Sequence, residues 1–475
     1  MIADLKPYAD YKESGLPWLG QVPGHWETRP AFGALVPNRE RNYGMKEKTV
    51  LSLSYGRIVV KPVDKLHGLV PESFETYQIV NPGDIVVRTT DLQNDHTSLR
   101  VGMVRDRGII TSAYLALRLK EGVNPEFGFQ FLNVWDASKA IYGYGSGLRQ
   151  NLDFSHFKRM PVCVPSPHEQ AAIVRFLDWA NGRLERAIRA KRKVIALLGE
   201  QKQAIVHRAV ARGLDPSVPL KPSGIPWLGD IPQHWEVRRL RTLVHHIDQG
   251  VSPLAVGFLA EGNSWGVLKS GCVNRGTFRE TEHKQLAQGF EIDPAIVVKV
   301  GDVLISRACG SPTLVGSVGR VRSLRYKLIL SDKTFRACFR AGVDLDFMVF
   351  AMNSGYYRVQ VEQAISGAEG MANNLPLSSL RDFSFAIPPA GEAAAIAGWL
   401  ESETARLQSI ISRLEREIEL LREYRIRLVA DVVTGKLDVR EAAVQLPVEA
   451  PLATIEDDAD LIDETEAADE GAGIA

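Results

Sequence analysis

One fourteen-residue segment occurs twice in this chain. Residues 14–27 read Ser-Gly-Leu-Pro-Trp-Leu-Gly-Gln-Val-Pro-Gly-His-Trp-Glu, and Trp18, His25, Trp26 and Glu27 return 209 positions later as Trp227, His234, Trp235 and Glu236. Further on, Leu177, Leu184, Leu198 and Ile205 return 223 positions later as Leu400, Leu407, Leu421 and Leu428. Solenoid units repeat every 20 to 50 residues or so, and this period is far longer. The chain is therefore a duplication of a whole domain with pseudo-twofold symmetry. Such a chain can grip a partner at two places.

At 475 residues the length suggests about three domains, and each half can bury its own core. No run of 18 apolar residues exists, which excludes a membrane-spanning helix. The opening stretch also lacks the apolar run of a secretory signal, so a cytoplasmic protein is expected. Four cysteines stand alone at 163, 272, 309 and 338, which argues against a structural zinc and for a reducing compartment. The net charge of zero hides an asymmetry. Residues 441–475 hold eleven acidic residues and no Lys or Arg, leaving 57 basic against 46 acidic residues in 1–440, a net of +11. A basic body suits a polyanionic partner, although an ordinary solvated surface accounts for the same excess.

Two long helices follow from periodicity. Ser166-Pro167-His168-Glu169 reads as a capping box with Pro at the first helical position, and the helix it opens should run to about Arg212, before Gly213. Its seam is Leu177, Leu184, Leu198 and Ile205, interrupted by Lys191, with Ile173, Ala180, Ala187 and Val194 as the second line. A second helix over about 391–434 carries an unbroken seam of Leu400, Leu407, Leu414, Leu421 and Leu428 and stops at Gly435. Seams of this length predict an antiparallel coiled coil about 65 Å long, with a globular module at each end.

The modules, about 28–165 and 237–389, share an order of elements. Strand-like runs at 49–53, 58–60 and 85–88 are answered by 267–269, 295–298 and 303–306. Gly83-Asp84 and Gly301-Asp302 each precede a β-branched strand, like hairpin turns. Then come β-rich runs (109–119; 328–339), helical runs (126–141; 346–365) and a strand into a proline pair. The fold class is α+β: two pseudo-symmetric α+β modules separated by a long antiparallel two-helix coiled coil. The corresponding division is an arm and first module (1–165), first helix (166–212), second arm and module (213–389), second helix (390–435) and an acidic disordered tail (436–475).

Motifs for chemistry are absent. There is no phosphate-binding loop, no Asp/Asn-Pro-Pro-aromatic methyltransferase signature, no His-Glu-x-x-His and no Gly-x-Ser-x-Gly. His245-His246 reads as a surface pair, since no carboxylate stands at obvious ligand spacing in sequence, and no metal is expected.

The twin Ser-Gly-x-Pro-Trp-Leu-Gly-x-x-Pro-x-His-Trp-Glu segments resemble the opening motif of type I restriction–modification specificity (S) subunits. The run from Pro161 through Glu169 to Ile173 resembles that family's junction into its conserved helix. Phe385-Ala-Ile-Pro-Pro does too, although Ala393 follows Glu392 where the first copy has Gln170. The likeness covers residues 11 to about 438. It implies two target-recognition domains that read the two halves of a split, asymmetric site in double-stranded DNA. It implies no catalysis and no cofactor in the chain itself. Two methyltransferase subunits binding S-adenosylmethionine, and motor–nuclease subunits using ATP and Mg, are the implied partners in phage defence.

Base readout uses Arg, Lys, Asn or Gln at loop tips, while any accessible cation can contact phosphate. In the first module the candidates are Arg88 and Thr89 in the run 89–95, and Tyr144, Arg149, Gln150 and Asn151 in the loop 142–151. Lys269, Arg275, Arg307, Asn373 and Asn374 are the candidates in the second. The four motif tryptophans suit anchoring of each arm onto its module, and the motif histidines suit bonding within the arm. Two rivals remain: a non-catalytic coiled-coil scaffold whose modules bind protein, and an enzyme. Steep salt dependence of duplex DNA binding distinguishes the first reading from the scaffold.

Overall fold

A computed structural model describes residues 5–447, apart from 62–72, 91, 93–98, 145–150, 275, 288 and 366–372. The chain divides into two compact units, Met1–Lys191 with Arg416–Ala475, and Arg192–Glu415. Each unit holds one module and a stretch of both long helices.

The first long helix spans Pro167–Arg212 and the second Ala390–Val433. Ser166 Oγ accepts from the Glu169 amide at 3.3 Å, and Pro167 costs nothing where no helical N–H is needed. Both helices end at a glycine with φ of +74°, Gly213 and Gly435, a conformation that disfavours any side chain. In the first unit Glu185 pairs with Arg425 (3.2 Å) and Lys191 with Glu417 (2.5 Å). In the second unit Lys202 Nζ donates to Gln408 Oε1 (3.0 Å), and Val206 and Ala209 share a core with Leu400 and Ile396. Partner numbers fall as the first helix advances, so the helices run antiparallel within each unit.

All nine seam residues are buried or half-buried. The second line needs correction. Val194 is exposed at 44%, whereas Ile188 is buried at 2%. Steps of three, four and four residues through Leu177, Ala180, Leu184 and Ile188 replace the strict heptad there. A stutter of this kind, equivalent to four extra residues in the heptad pattern, relaxes the supercoil locally, because three turns then take eleven residues. Gly199 faces open space, so it is a tolerated helix interruption with no close backbone approach.

Three sheets repeat in the same form in the two units. An arm hairpin pairs Tyr11–Glu13 with Gln21–Pro23, and Leu220–Pro222 with Asp230–Pro232. A closing pair joins Glu27–Pro30 to Pro161–Val164, and Glu236–Arg239 to Ser384–Ile387. An antiparallel four-stranded sheet runs Leu35–Pro37, Leu115–Leu119, Ile85–Val87, Val101–Met103 in the first unit. Its counterpart runs Val244–Gln249, Thr334–Phe339, Val303–Ser306, Val318–Arg320. The α+β class and the duplication are thus both present in the folded chain.

Outside this scaffold the modules differ. The second adds a four-stranded sheet, Ala255–Val256, His283–Leu286, Trp265–Leu268 and Lys327–Ile329, with its own core around Leu268, Leu328 and Ile329. The first adds two-stranded pairs, Leu51–Ser54 with Arg57–Val60 and Gln78–Val80 with Gly108–Ile110. Residues 295–298, expected as strand, begin with a 3-10 turn, Pro294–Ile296, which the Asp293 carboxylate caps at 2.8 Å. The helical run 346–365 is two helices, Leu345–Ala351 and Gly355–Ala364, the second opening after the buried Ser354. Neither Gly-Asp turn closes a hairpin, since the strand after Gly83-Asp84 pairs in a different sheet from the strand before it. Residues 440–445 of the stretch expected as tail form a helix, Arg440–Gln445, with Ala443 and Leu446 buried in the first core. Residues 448–475 lie outside those described.

Candidate nucleic-acid interface

The repeated His-Trp-Glu motif is a structural clasp. Trp26 is buried, and its Nε1 donates to Glu169 Oε1 at 2.9 Å, while His25 Nε2 lies 2.9 Å from Oε2. Tyr8 donates its hydroxyl to the same carboxylate at 2.7 Å. Burial and then the Glu169 carboxylate push the Tyr8 phenol above its ordinary range, keeping it an O–H donor. In the second unit Trp235 Nε1 and His234 Nε2 reach Glu392 at 3.1 and 2.7 Å. Each glutamate sits in the first turn of a long helix, where negative charge is favoured. So the capping glutamate foreseen at position 169 spends its carboxylate on the arm. The clasp locks arm to helix and leaves both buried tryptophans unavailable for stacking on bases.

The Gly-Asp aspartates are structural too. Asp84 accepts from Arg118 (3.0 and 3.2 Å) and the Asn81 amide (3.0 Å), and Asp302 from the Lys299 amide (2.8 Å) and Arg336 (3.3 Å). A carboxylate held this way by an arginine is not a free metal ligand.

Two of the clefts among the described residues lie at related places on the shared scaffold. In the first unit a cleft of about 470 Å³ lies beside Asn38, Arg39 and Arg41, which follow the strand Leu35–Pro37. Gln78, Thr89, residues 112–115, Leu152 and Asp153 complete it. In the second unit a cleft of about 530 Å³ lies beside residues 251–255, which follow Val244–Gln249. Residues 331–333, Lys269 and Lys284 line its other walls. Backbone hydrogen bonds fix the equivalence. The Leu152 amide donates to Thr89 O (2.8 Å) as the Leu375 amide donates to Arg307 O (2.9 Å). Thr89 Oγ1 donates to Ala113 O at 2.9 Å, and Arg307 Nη1 donates to Asp332 O at 2.8 Å. Thr89 and Arg307 therefore occupy matching positions, although only Thr89 lines a cleft; the two clefts share the segment after the outer sheet strand and the segment before the next one, 112–115 and 331–333.

The other expected site residues are placed as follows. Arg88 is half-buried beside Thr89, its amide donating to Arg100 O at 2.8 Å. The buried Arg100 guanidinium donates to Thr90 O (2.8 Å) and to the Tyr142 hydroxyl (3.1 Å), pinning this strand end. Tyr144 is half-buried edge-on to Trp135 at 5.6 Å, and burial pushes its phenol up. Asn151 is exposed next to Leu152. Lys269 lies 3.8 Å from Glu282 at the wall of the second cleft. Asn373 and Asn374 form a strand pairing with Ala308–Cys309, just beyond Arg307. Arg149, Gln150 and Arg275 lie outside the described residues. Sequence reading missed Arg39, Arg41, Lys284 and Lys333. The visible signal was the polar run Asn38-Arg39-Glu40-Arg41 directly after a strand.

One cluster of possible metal ligands stands apart from both clefts. His246, Asp248 and Cys338 bring their donor atoms within 4.8 Å of one another, so a carboxylate does stand beside His246. Arg336 grips that carboxylate at 2.5 and 2.9 Å, and burial raises the Cys338 thiol. A cation there would face a guanidinium, and the arrangement reads as a bonded surface network. All four cysteines are free, and burial drives Cys272 up to about 12, which leaves it inert.

A duplicated chain of two α+β modules, built on one scaffold with two different clefts, is the class that this fold defines. The comparisons narrow it. No family model matches the chain. The type I restriction enzyme EcoEI specificity subunit of Escherichia coli is 26% identical over 218 residues, which is 46% of this chain and only 36% of that protein's length. The type I restriction enzyme MjaVIII specificity subunit of Methanocaldococcus jannaschii is 23% identical over 368 residues, 76% of this chain and 81% of that one. A solved chain, described under complex assembly and conformational transition of the type I R-M system, matches 88% of this chain and 99% of its own. Its TM-score is 0.57 at 16% identity, a likeness of fold. The chain is similar in sequence to type I restriction specificity subunits, as its repeated motifs suggested. Among the described residues no helix is long and apolar enough to cross a membrane.

Proposed function

We propose that this chain is the DNA sequence-specificity subunit of a type I restriction–modification complex. Each module reads one half of an asymmetric bipartite site through its cleft. The observation that carries this reading is the pair of equivalent clefts with unlike cationic linings, Arg39 and Arg41 in one and Lys269, Lys284 and Lys333 in the other. One scaffold with two linings is what two different half-sites require. The +11 excess over residues 1–440 supports a polyanionic partner.

The chain performs no chemistry in this reading. Its long helices dock two methyltransferase subunits that bring S-adenosylmethionine, and motor–nuclease subunits bring ATP and Mg. The name of the matched complex and those of the relatives support such partners. Two measurements test the proposal. Full-length chain titrated with a random 40-bp duplex pool should lose affinity steeply as salt rises, with a log–log slope of about −0.9 per phosphate contacted. Methylome sequencing of the host with and without the gene should show one split adenine-methylated motif disappear. A flat salt response together with an unchanged methylome rejects the reading.

A further inference from the structure

The second cleft carries something the first lacks. Residues 251–259 read Val-Ser-Pro-Leu-Ala-Val-Gly-Phe-Leu, and Leu254 and Phe258 are 81% and 77% exposed. Val256 between them is exposed as well, so the apolar residues stand at every second position. The backbone beneath them is tied down. The Ala287 amide donates to Leu254 O at 3.1 Å, and the Gln285 amide to Phe258 O at 2.9 Å. Ala255–Val256 is the edge strand of its sheet, paired on one side only. A Leu left bare at random on a surface is ordinary; three alternating large side chains on a braced edge are not.

The surroundings say what covers this row. Leu254 shares its cleft with Lys269, Lys284 and Lys333, against Asp332 as the sole acidic residue of the lining. Lys284 and Lys333 are exposed and form no ion pair with a described residue. An apolar edge flanked by free ammonium groups complements a duplex, whose base stack is apolar and whose rims are phosphate. Apolar side chains wedged between base steps unstack them and kink the helix. We infer that Leu254 and Phe258 form a wedge that inserts into duplex DNA at the second half-site, with Lys284 and Lys333 on the flanking phosphates. This rests on the DNA-specificity reading and adds to it a recognition mode, by deformability of the base step, for one module only. In the first cleft the exposed lining residues are Arg39, Arg41, Ser112, Ala113 and Asp153, a mostly polar set that suits hydrogen bonding to groove edges and has no large apolar side chain exposed.

The experiment uses the full chain and a 40-bp duplex selected from a random pool, labelled at both ends for energy transfer. Wild-type protein is expected to bring the ends closer on binding. Leu254→Ala with Phe258→Ala should relax that bend and weaken binding roughly tenfold with the salt slope unchanged, since no phosphate contact is lost. Lys284→Gln with Lys333→Gln should instead flatten the slope by about two, at about one per contact. A wild-type affinity and bend in the apolar double variant overturns the wedge while leaving DNA recognition standing. An unbent duplex bound by the wild type overturns it too. Unchanged DNA binding with loss of a co-purifying subunit assigns the row to a protein partner instead. Absence of any salt-dependent duplex binding by the wild type removes the specificity reading itself, and the wedge with it.

Discussion

The two modules are copies that have kept their joints and changed their faces. Arm hairpin, closing strand pair, four-stranded sheet and helix-end glycine recur with the same partners. The clefts beyond the strand ends do not. The first is lined by Arg39, Arg41 and Thr89, the second by Leu254, Lys284 and Lys333. Duplication preserves what holds a module onto its helix, because a slipped clasp would expose a buried indole. Loops after the strands are free to vary, because they cost the scaffold little.

Even the clasps are unequal. Glu169 is 3% exposed with three side-chain partners, whereas Glu392 is 31% exposed with two. Tyr8 makes the difference, since its structural counterpart, Ser217, turns to Asp215 at 2.6 Å instead. The largest expected effect follows from the tryptophans that the clasps hold. Trp26→Ala and Trp235→Ala should each cost about 3–5 kcal/mol, each confined to the denaturation transition of its own unit. A urea melt in which either variant shifts both transitions equally breaks the two-unit comparison.

Next in size are the glutamates. Glu169→Ala strands a buried Trp Nε1 and a Tyr hydroxyl and should cost about 2–3 kcal/mol, while Glu392→Ala should cost about 1 kcal/mol. Equal losses would mean that the difference in burial has no energetic weight. Smaller again is the cationic comparison. Arg39→Gln with Arg41→Gln should flatten the salt slope of DNA binding by about two and relax specificity in one half of the split motif only. Selection of bound duplexes after the substitution reads both, and relaxation of both halves would contradict independent modules.

The smallest effect concerns His207 on the first long helix. Its counterpart in the repeat is Ala430, which does not titrate. Burial, with Arg212 nearby, lowers the His207 pKa, and its ring lies 6.2 Å from that of Tyr356. A folded pKa below the unfolded value means that stability is present above the unfolded pKa of about 6.5 and is lost as pH falls below it. Between pH 7.5 and 5.5 the second unit should therefore lose slightly more of its urea midpoint than the His207→Gln variant does. The first unit's midpoint should be indifferent to that substitution, and a reversed sign would reject the assignment.

Periodic and repeated features were legible in the residues. Leu400 to Leu428 at seven-residue steps marked an inner face, and Gly213 and Gly435 marked helix ends, because both signals are local. The shift from Ala187 to Ile188 was not, since only the facing helix decides which of two adjacent apolar residues turns inward. Arg307 was singled out from its place after a strand. Its match to Thr89 emerged only from the hydrogen bonds to Leu375 and Leu152. Lys284 and Lys333 were missed because nothing along the chain links them to Leu254.

By itself the sequence determined that there are two copies, where the long helices begin and end, and which residues form their seam, because motif identity and helical period are properties of neighbouring residues. Tertiary structure alone decided that residues 38, 39, 41, 89, 112–115 and 152 share one cleft, and that 251–255, 269, 284 and 331–333 share its counterpart. Strand pairing between distant segments carries those loops together, and the register of that pairing is set by how the whole core packs, which no single segment encodes.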